Sequence, residues 1–97
     1  MAPHVYLLEA YTPNASAATA EETVRVLQAA SELDESTAEI RIIGHVLVPG
    51  DELCLYLIEA PDEELVALLA GRAGITFERI AEANATLGPE AWGVERA

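Results

Sequence analysis

The feature that most constrains the fold of this chain is a run without a single charged residue or turn former. Residues 53–58 consist of Leu53, Cys54, Leu55, Tyr56, Leu57 and Ile58. Neighbouring side chains of a β-strand point to opposite faces, so both faces of such a strand need cover. Helices in a chain of 97 residues can cover only one face. The other face therefore meets something else, most simply a second copy of the chain or a bound molecule.

The charge of the chain excludes two classes of partner. Five basic residues, none of them lysine, stand against seventeen acidic ones, which gives a net charge of −12. Binding to phosphate groups needs clustered cations, so neither a nucleic acid nor an anionic membrane surface is expected as a partner. No apolar run approaches the roughly 20 residues of a membrane span, and the first residues lack the basic start of a signal peptide. We expect a cytoplasmic protein.

Four strands and two helices are indicated along the chain. The strand signals cover residues 4–11, 40–48, 53–60 and 75–84. A capping box predicts the start of the first helix, with Thr19 as N-cap and Glu22 as its partner. The second helix begins after Pro61, and Gly74 is its predicted C-cap. No internal repeat of fixed period is apparent.

The order β-α-β-β-α-β predicts a ferredoxin-like α+β sandwich. In that fold a four-stranded antiparallel sheet carries both helices on one face. The predicted domain covers residues 1–84, and residues 85–97, which include Trp92, form an irregular C-terminal tail. We call the sheet face away from the helices the bare face.

Side-chain alternation predicts which residues occupy the bare face. One set of alternate positions in the first, second and fourth strands is mostly apolar and small, as expected under helices. The other set carries the polar residues Glu9, Tyr11, Arg41, His45, Glu78 and Glu82. A β-bulge would reverse this assignment beyond the bulge. The sequence thus predicts a polar-lined cavity on the bare face, closed by a second subunit.

Within this set the residue types suggest separate roles. Histidine is the side chain best suited to proton transfer near neutral pH, so His45 is the candidate general acid or base, oriented by Glu82 or Glu9, with Tyr56 or Tyr11 as hydrogen-bond donor. Glu9, Tyr11 and Arg41 are candidate ligand-binding residues. Each also has a simpler interpretation, since an isolated acid in an apolar strand often pairs only with an arginine.

Several short segments resemble a family of small bacterial proteins described as nickel-binding and ferredoxin-like, and formerly as a domain of unknown function. The similar segments are residues 5–9, 48–54, 58–61, 72–75 and 77–80, and the resemblance spans residues 4–84. It implies a homodimeric α+β barrel and nickel as a cofactor. The metal donors it would use here are His45, His4 and Glu9, with Glu82 as a further donor.

Three functions remain open at this point. The chain is a homodimeric binding protein for a divalent metal or a small apolar metabolite, an enzyme of the dimeric α+β barrel type, or a non-catalytic dimerisation module. The enzyme would be a cofactor-free isomerase, cyclase or oxygenase that uses His45.

Overall fold

Two helices pack on one face of a four-stranded antiparallel sheet in the computed structural model, which describes residues 4–84. The strands are β1 (His4–Tyr11), β2 (Arg41–Val48), β3 (Leu53–Ala60) and β4 (Arg79–Ala83), and the helices are α1 (Ala17–Ser31) and α2 (Glu63–Ala73). Because the strand order is β2-β3-β1-β4, the predicted ferredoxin-like α+β fold is confirmed. The predicted tail with Trp92 lies outside the described residues.

The core lies between the sheet and the helices. Alternate residues of the two central strands are buried there, with Leu8, Tyr56 and Ile58 at 0–1% exposure. Leu27 of α1 and Leu69 of α2, both fully buried, cover them from the helix side. Burial of such side chains contributes about 1.5–3 kcal/mol each, so this layer supplies most of the stabilisation of the fold.

Each helix begins at a side-chain cap. Ser16 is the N-cap of α1: its hydroxyl accepts from the backbone N–H of Thr19, whose own hydroxyl accepts from the N–H of Ser16. The prediction of Thr19 as N-cap is therefore wrong by one turn, because Thr19 serves as the reciprocal partner that Glu22 was expected to be. Asp62 caps α2, and Gly74 ends it at φ +75°, as predicted.

The turn between β2 and β3 bends through a left-handed residue. After the short 3-10 turn Pro49–Asp51, Glu52 has φ +52°, a conformation uncommon for a residue with a side chain. Its carboxylate accepts a hydrogen bond of 2.8 Å from the hydroxyl of Tyr11, and its carbonyl accepts one of 2.7 Å from the N–H of Thr12. These bonds tie the turn to the end of β1.

A β-bulge interrupts strand β2. Ile42 lies opposite Ile58 and Gly44 lies opposite Leu57, so Ile43 is the extra residue. The backbone N–H of Ile42 donates to the side-chain carbonyl of Gln28 on α1, at 3.3 Å. The bulge reverses the alternation of side chains for every residue of β2 that follows it.

The sheet has an internal two-fold relation, even though the chain has no repeat of fixed period. The sequence Val-Tyr-Leu-Leu-Glu-Ala of residues 5–10 returns as Leu-Tyr-Leu-Ile-Glu-Ala at residues 55–60, fifty positions later. In the pairing of β1 with β3, Leu7 lies directly opposite its own equivalent, Leu57. A half-turn about that point exchanges β1 with β3 and β4 with β2.

The outer strands obey the same relation once the bulge is allowed for. Arg79 of β4 lies opposite Glu9, and Arg41 of β2 lies opposite the equivalent Glu59. The further equivalent pairs, outer strand β4 first, are Ile80 with Ile42, Ala81 with Gly44, Glu82 with His45, and Ala83 with Val46. The repeat is not apparent along the sequence, because the extra residue Ile43 and the unequal lengths of the connections leave no fixed period.

Deletion of Ile43 tests this reading of the bulge. Without it, Arg41, Ile42, Gly44 and His45 alternate across the sheet as β4 does, so we expect the fold to persist and the free energy of unfolding to fall by no more than about 1–2 kcal/mol. Deletion of Ala81 from the regular strand β4 is the matched control. It turns Glu82 to the opposite face and should cost more than about 3 kcal/mol. Urea unfolding followed by circular dichroism measures both, and equal losses would contradict the assignment.

Candidate functional site

The bare face has an apolar centre. Its residues, assigned by strand register and burial, are Val5, Leu7, Glu9 and Tyr11 of β1, Arg41, Gly44, Val46 and Val48 of β2, Leu53, Leu55, Leu57 and Glu59 of β3, and Arg79, Ala81 and Ala83 of β4. The middle row across the four strands reads Gly44, Leu57, Leu7, Ala81. Two leucines thus stand in the centre, and a residue with little or no side chain flanks them at each edge.

Two ion pairs border this apolar centre, one at each edge. Arg79 Nε lies 2.9 Å from Glu9 Oε2, and Arg41 Nη1 lies 3.2 Å from Glu59 Oε1. In both pairs the acid side chain is largely covered, at 23% and 27% exposure, while the arginine is 65–70% exposed. Each arginine therefore lies over a carboxylate that would be costly to leave unpaired among leucines.

The bare face is locally neutral in a strongly acidic protein. Among residues 4–84 there are four arginines, and two of them, Arg41 and Arg79, lie on the bare face. The other two pair elsewhere, Arg25 with Glu22 at 2.6 Å and Arg72 with Asp34 at 3.0 Å. The two strand acids that lie on the bare face, Glu9 and Glu59, are matched one to one by arginines, whereas the chain as a whole carries a charge of −12.

Glu9, Arg41 and Tyr11 lie on the bare face, as predicted. The hydroxyl of Tyr11, which is 54% exposed, donates to Glu52 at the end of the face, and this hydrogen bond raises the pKa of Tyr11. Glu9 and Arg41 do not contact each other, since each is paired with a residue of a neighbouring strand. Their predicted role in binding a ligand stays a prediction.

His45 and Glu82 lie on the opposite face, so their predicted placement on the bare face is wrong. For His45 the cause is the bulge at Ile43, which brings it opposite Tyr56. For Glu82 the cause is its position on the edge strand β4: it lies opposite Tyr6, on the helix side, and stays exposed beyond the helices. A polar residue can therefore face the helix layer at the edge of a sheet without being buried.

The three predicted catalytic residues do not converge. His45 and Tyr56 are neighbours, with ring centroids 6.5 Å apart, but Glu82 belongs to the other edge strand. Three strand spacings, about 14 Å, separate β2 from β4. His45 and Glu82 occupy positions related by the internal two-fold, which places them at opposite edges of the sheet. The catalytic role of His45 stays a prediction, without Glu82 as its orienting partner.

Glu82 instead pairs with His4. Their side chains approach to 2.8 Å between Nδ1 and Oε2, and both are about half exposed. The ring of Tyr6 lies beside His4, with centroids 6.3 Å apart, and burial together with the charge of Glu82 raises the pKa of Tyr6. This cluster is at the β1–β4 edge on the helix side.

The predicted metal donors are separated in the same way. His4 and Glu82 adjoin each other, Glu9 faces the other side of the sheet, and His45 lies on the far edge strand. Within residues 4–84 no three side chains of His, Cys, Asp or Glu are grouped as a metal site requires. The donors of one chain do not fit a nickel centre, so nickel binding stays a prediction from the resemblance alone.

Glu59 and Arg79 complete the two ion pairs; the sequence left the face of Glu59 open and placed Arg79, a possible partner of the isolated acids, under the helices. The signal that identifies them is the repeat of residues 5–10 at 55–60, because it makes Glu59 the equivalent of Glu9. The arginines then follow as equivalents on the outer strands. Assigning residues to faces by side-chain alternation, one strand at a time, does not detect a relation between strands.

Comparisons with known proteins add no family. No family model, curated protein or solved structure matches the chain. None of the helices within residues 4–84 is long and apolar enough to cross a membrane.

Tyr56 offers a titration that tests the helix-side assignment. Burial and the adjacent Cys54 side chain raise its pKa from 10.0 to about 12, against the opposing effect of a hydrogen bond with Thr23. The neutral phenol of Tyr56 contributes fully to the stability of the fold below pH 10, and this contribution is lost as the pH rises towards 12. We expect the free energy of unfolding to fall by about 2–3 kcal/mol from this residue over that interval.

Tyr56→Phe is the matched variant for this titration. Urea unfolding between pH 8 and pH 12 should show a shallower decline for Tyr56→Phe than for the wild type, with the contributions of Tyr6 and Tyr11 retained. Ultraviolet titration of the folded protein should also lose its latest phenolate signal. The same decline in both proteins would contradict the assignment.

Proposed function

We propose that this protein is a small cytoplasmic homodimer that binds a small apolar molecule between the bare faces of its two subunits. The supporting observation is the composition of the bare face, which has leucines at its centre and neutralised charges at its edges. A contiguous apolar patch bordered by polar residues is typical of an interaction or ligand site.

A second copy is the favoured partner for this face because of the charge of the protein. Two copies with a charge of −12 each repel, so a stable contact requires a surface from which net charge has been removed. The strand residues of the bare face meet that requirement through the pairs Arg41–Glu59 and Arg79–Glu9. A basic partner would instead be expected to bind the unpaired acidic residues that lie outside the bare face.

The flanking positions of the middle row support a space for a ligand. Facing sheets lie about 10 Å apart, a gap that large side chains from both sides fill. Leu7 and Leu57 fill it at the centre, but Gly44 and Ala81 leave room on either side of them. A molecule held there would contact leucine, valine and alanine side chains, so we expect it to be small and uncharged.

The other two interpretations make different demands. An enzyme that uses His45 needs a substrate on the helix side of the β2 edge, near Tyr56, and not between the subunits. A pure dimerisation module needs the same contact between subunits with no bound molecule. Probe binding and the oligomeric state separate these cases.

Leu57→Asp tests the proposal at the centre of the bare face. Light scattering should give a dimer for the wild type at micromolar concentration and a folded monomer for Leu57→Asp, because the buried carboxylate would lack a partner. Leu33→Asp, at a position 86% exposed in the turn that follows α1, is the control and should remain dimeric. A wild-type monomer would overturn the proposal.

The bound molecule is tested with the same three proteins. An uncharged apolar fluorescent probe such as Nile red should bind the wild type and Leu33→Asp saturably, and Leu57→Asp at least about tenfold more weakly. Native mass spectrometry reports any molecule that copurifies with the dimer. A dimer without saturable probe binding would favour the dimerisation module.

A further inference from the structure

We infer that Arg41 and Arg79 determine which molecules the bare face accepts, and that they select neutral apolar compounds that carry a carbonyl oxygen. This selection rests on the proposed function, since it requires an apolar molecule on the bare face. The residues that carry it belong to one subunit, so it does not depend on the angle at which the second copy packs.

Each arginine lies at the end of one of the two spaces beside the central leucines. On β2 the bare-face residue that follows Arg41 is Gly44, and Leu57 lies beside Gly44 on the neighbouring strand. Residues of one face are about 7 Å apart along a strand, and neighbouring strands are about 4.8 Å apart. The first space therefore has a residue without a side chain as its floor, a leucine as its wall and a guanidinium group at its end. The equivalent space on β4 is formed by Ala81, Leu7 and Arg79.

The exposed polar groups beside these spaces are hydrogen-bond donors. Arg41 and Arg79 are 70% and 65% exposed, whereas their acids Glu59 and Glu9 are 27% and 23% exposed. Tyr11, the remaining polar side chain of the face, lies two rows from either space and donates to the carboxylate of residue 52. A molecule in one of the spaces thus meets N–H groups and not carboxylate oxygens.

The donors of each pair also outnumber the acceptors. Arg41 Nη1 donates to Glu59 Oε1 at 3.2 Å, and Arg79 approaches Glu9 Oε2 through Nε at 2.9 Å. Within residues 4–84 neither arginine has a second acid in ion-pair contact. A guanidinium group has five N–H donors, and a carboxylate has about four acceptor sites. A second copy adds both in the same ratio, so donors remain for a bound molecule.

A carbonyl oxygen is the acceptor that matches these donors. When a second subunit covers the face, the spare N–H groups lose water and need an acceptor, and hydrogen bonds from a charged donor are the stronger ones. A carbonyl group brings an acceptor with no donor of its own. A hydroxyl group also brings an O–H, and the carboxylates that could accept from it are covered by the arginines. A hydrocarbon leaves the N–H groups unsatisfied.

An anion fits these positions less well than a neutral acceptor. Each arginine is already paired with an acid, so a bound carboxylate adds a net negative charge between the subunits. The chain itself carries a charge of −12, which also repels anions on approach. The class of ligand is therefore a neutral apolar body with one or more carbonyl groups.

Three naphthalenes of matched shape test this selection by displacement of Nile red from the wild-type dimer. 2-Acetylnaphthalene carries the carbonyl group, 2-isopropenylnaphthalene has CH₂ in place of its oxygen, and 2-naphthoate is the anion. In E9M/R41M/E59M/R79M apolar chains replace both ion pairs, so the affinity for the ketone relative to the alkene should fall at least about tenfold. The control E22M/R25M removes an ion pair on α1 and should keep the wild-type ratio. An equal ratio in the quadruple variant would overturn the inference.

Glu9→Gln tests the role of the acid in rejecting anions. It leaves Arg79 without its neutralising partner, so 2-naphthoate should bind at least about tenfold more tightly than to the wild type. The control Glu22→Gln leaves Arg25 of α1 without its acid and should not change the affinity. Unchanged binding of 2-naphthoate to Glu9→Gln would contradict the selection, and this variant decides if circular dichroism shows that the quadruple variant is unfolded.

Failure of the proposed function gives a different result. It is recognised by a monomeric wild type, or by a dimer that binds no Nile red saturably. Failure of the selection alone leaves a dimer from which all three naphthalenes displace Nile red, with affinities that do not respond to the loss of either arginine or acid.

Discussion

The antiparallel pairing of β1 with β3 is the constraint on which the rest of the structure depends. Two nearly identical segments lie side by side with Leu7 opposite Leu57, so the centre of the sheet is also the centre of a local two-fold axis. Alternation then sends Tyr6 and Tyr56 to the helix side in both segments. Leu7, Leu57 and the two acids go to the other side, which sets the character of the bare face before any outer strand is added.

The register of the outer strands follows from what the central strands leave unsatisfied. Glu9 and Glu59 would be isolated carboxylates among leucines if no cation lay beside them. Arg79 and Arg41 occupy the adjacent positions and pair with them. Partly exposed ion pairs contribute only about 0–1 kcal/mol to folding, so the more consequential effect is on the surface. The pairs remove net charge from one face of an acidic protein.

The sequence predicted most of the fold because its strongest signals are local. The bounds of β1 and β3 follow from apolar runs that turn residues interrupt, and Gly74 ends α2 because only a residue without a side chain adopts φ +75° at little cost. The start of α1 was displaced by one turn because Ser16 and Thr19 both qualify as caps.

The candidate site was predictable only in part, because the face of the sheet on which a side chain lies depends on the register of its strand. A single inserted residue, Ile43, places His45 on the helix side, and composition does not reveal the bulge. Glu82 faces the helix side at an edge where a carboxylate is not buried, so its polarity gave the wrong face. Glu9, Tyr11 and Arg41 were placed on the correct face because no bulge interrupts the alternation of side chains between the start of their strand and these residues.

The two-fold relation also limits where a site of mixed chemistry can form. On the bare face the related positions carry the same residue or one of similar character, from Glu9 and Glu59 to Arg79 and Arg41. On the helix side they differ, since Cys54 is buried where its equivalent His4 is exposed, and His45 stands where the other half has Glu82. Helices of fifteen and eleven residues cover the two halves unequally, which accounts for unequal neighbours there. The two-fold relation is therefore kept on the bare face and lost on the helix side, where residues of different chemistry lie together.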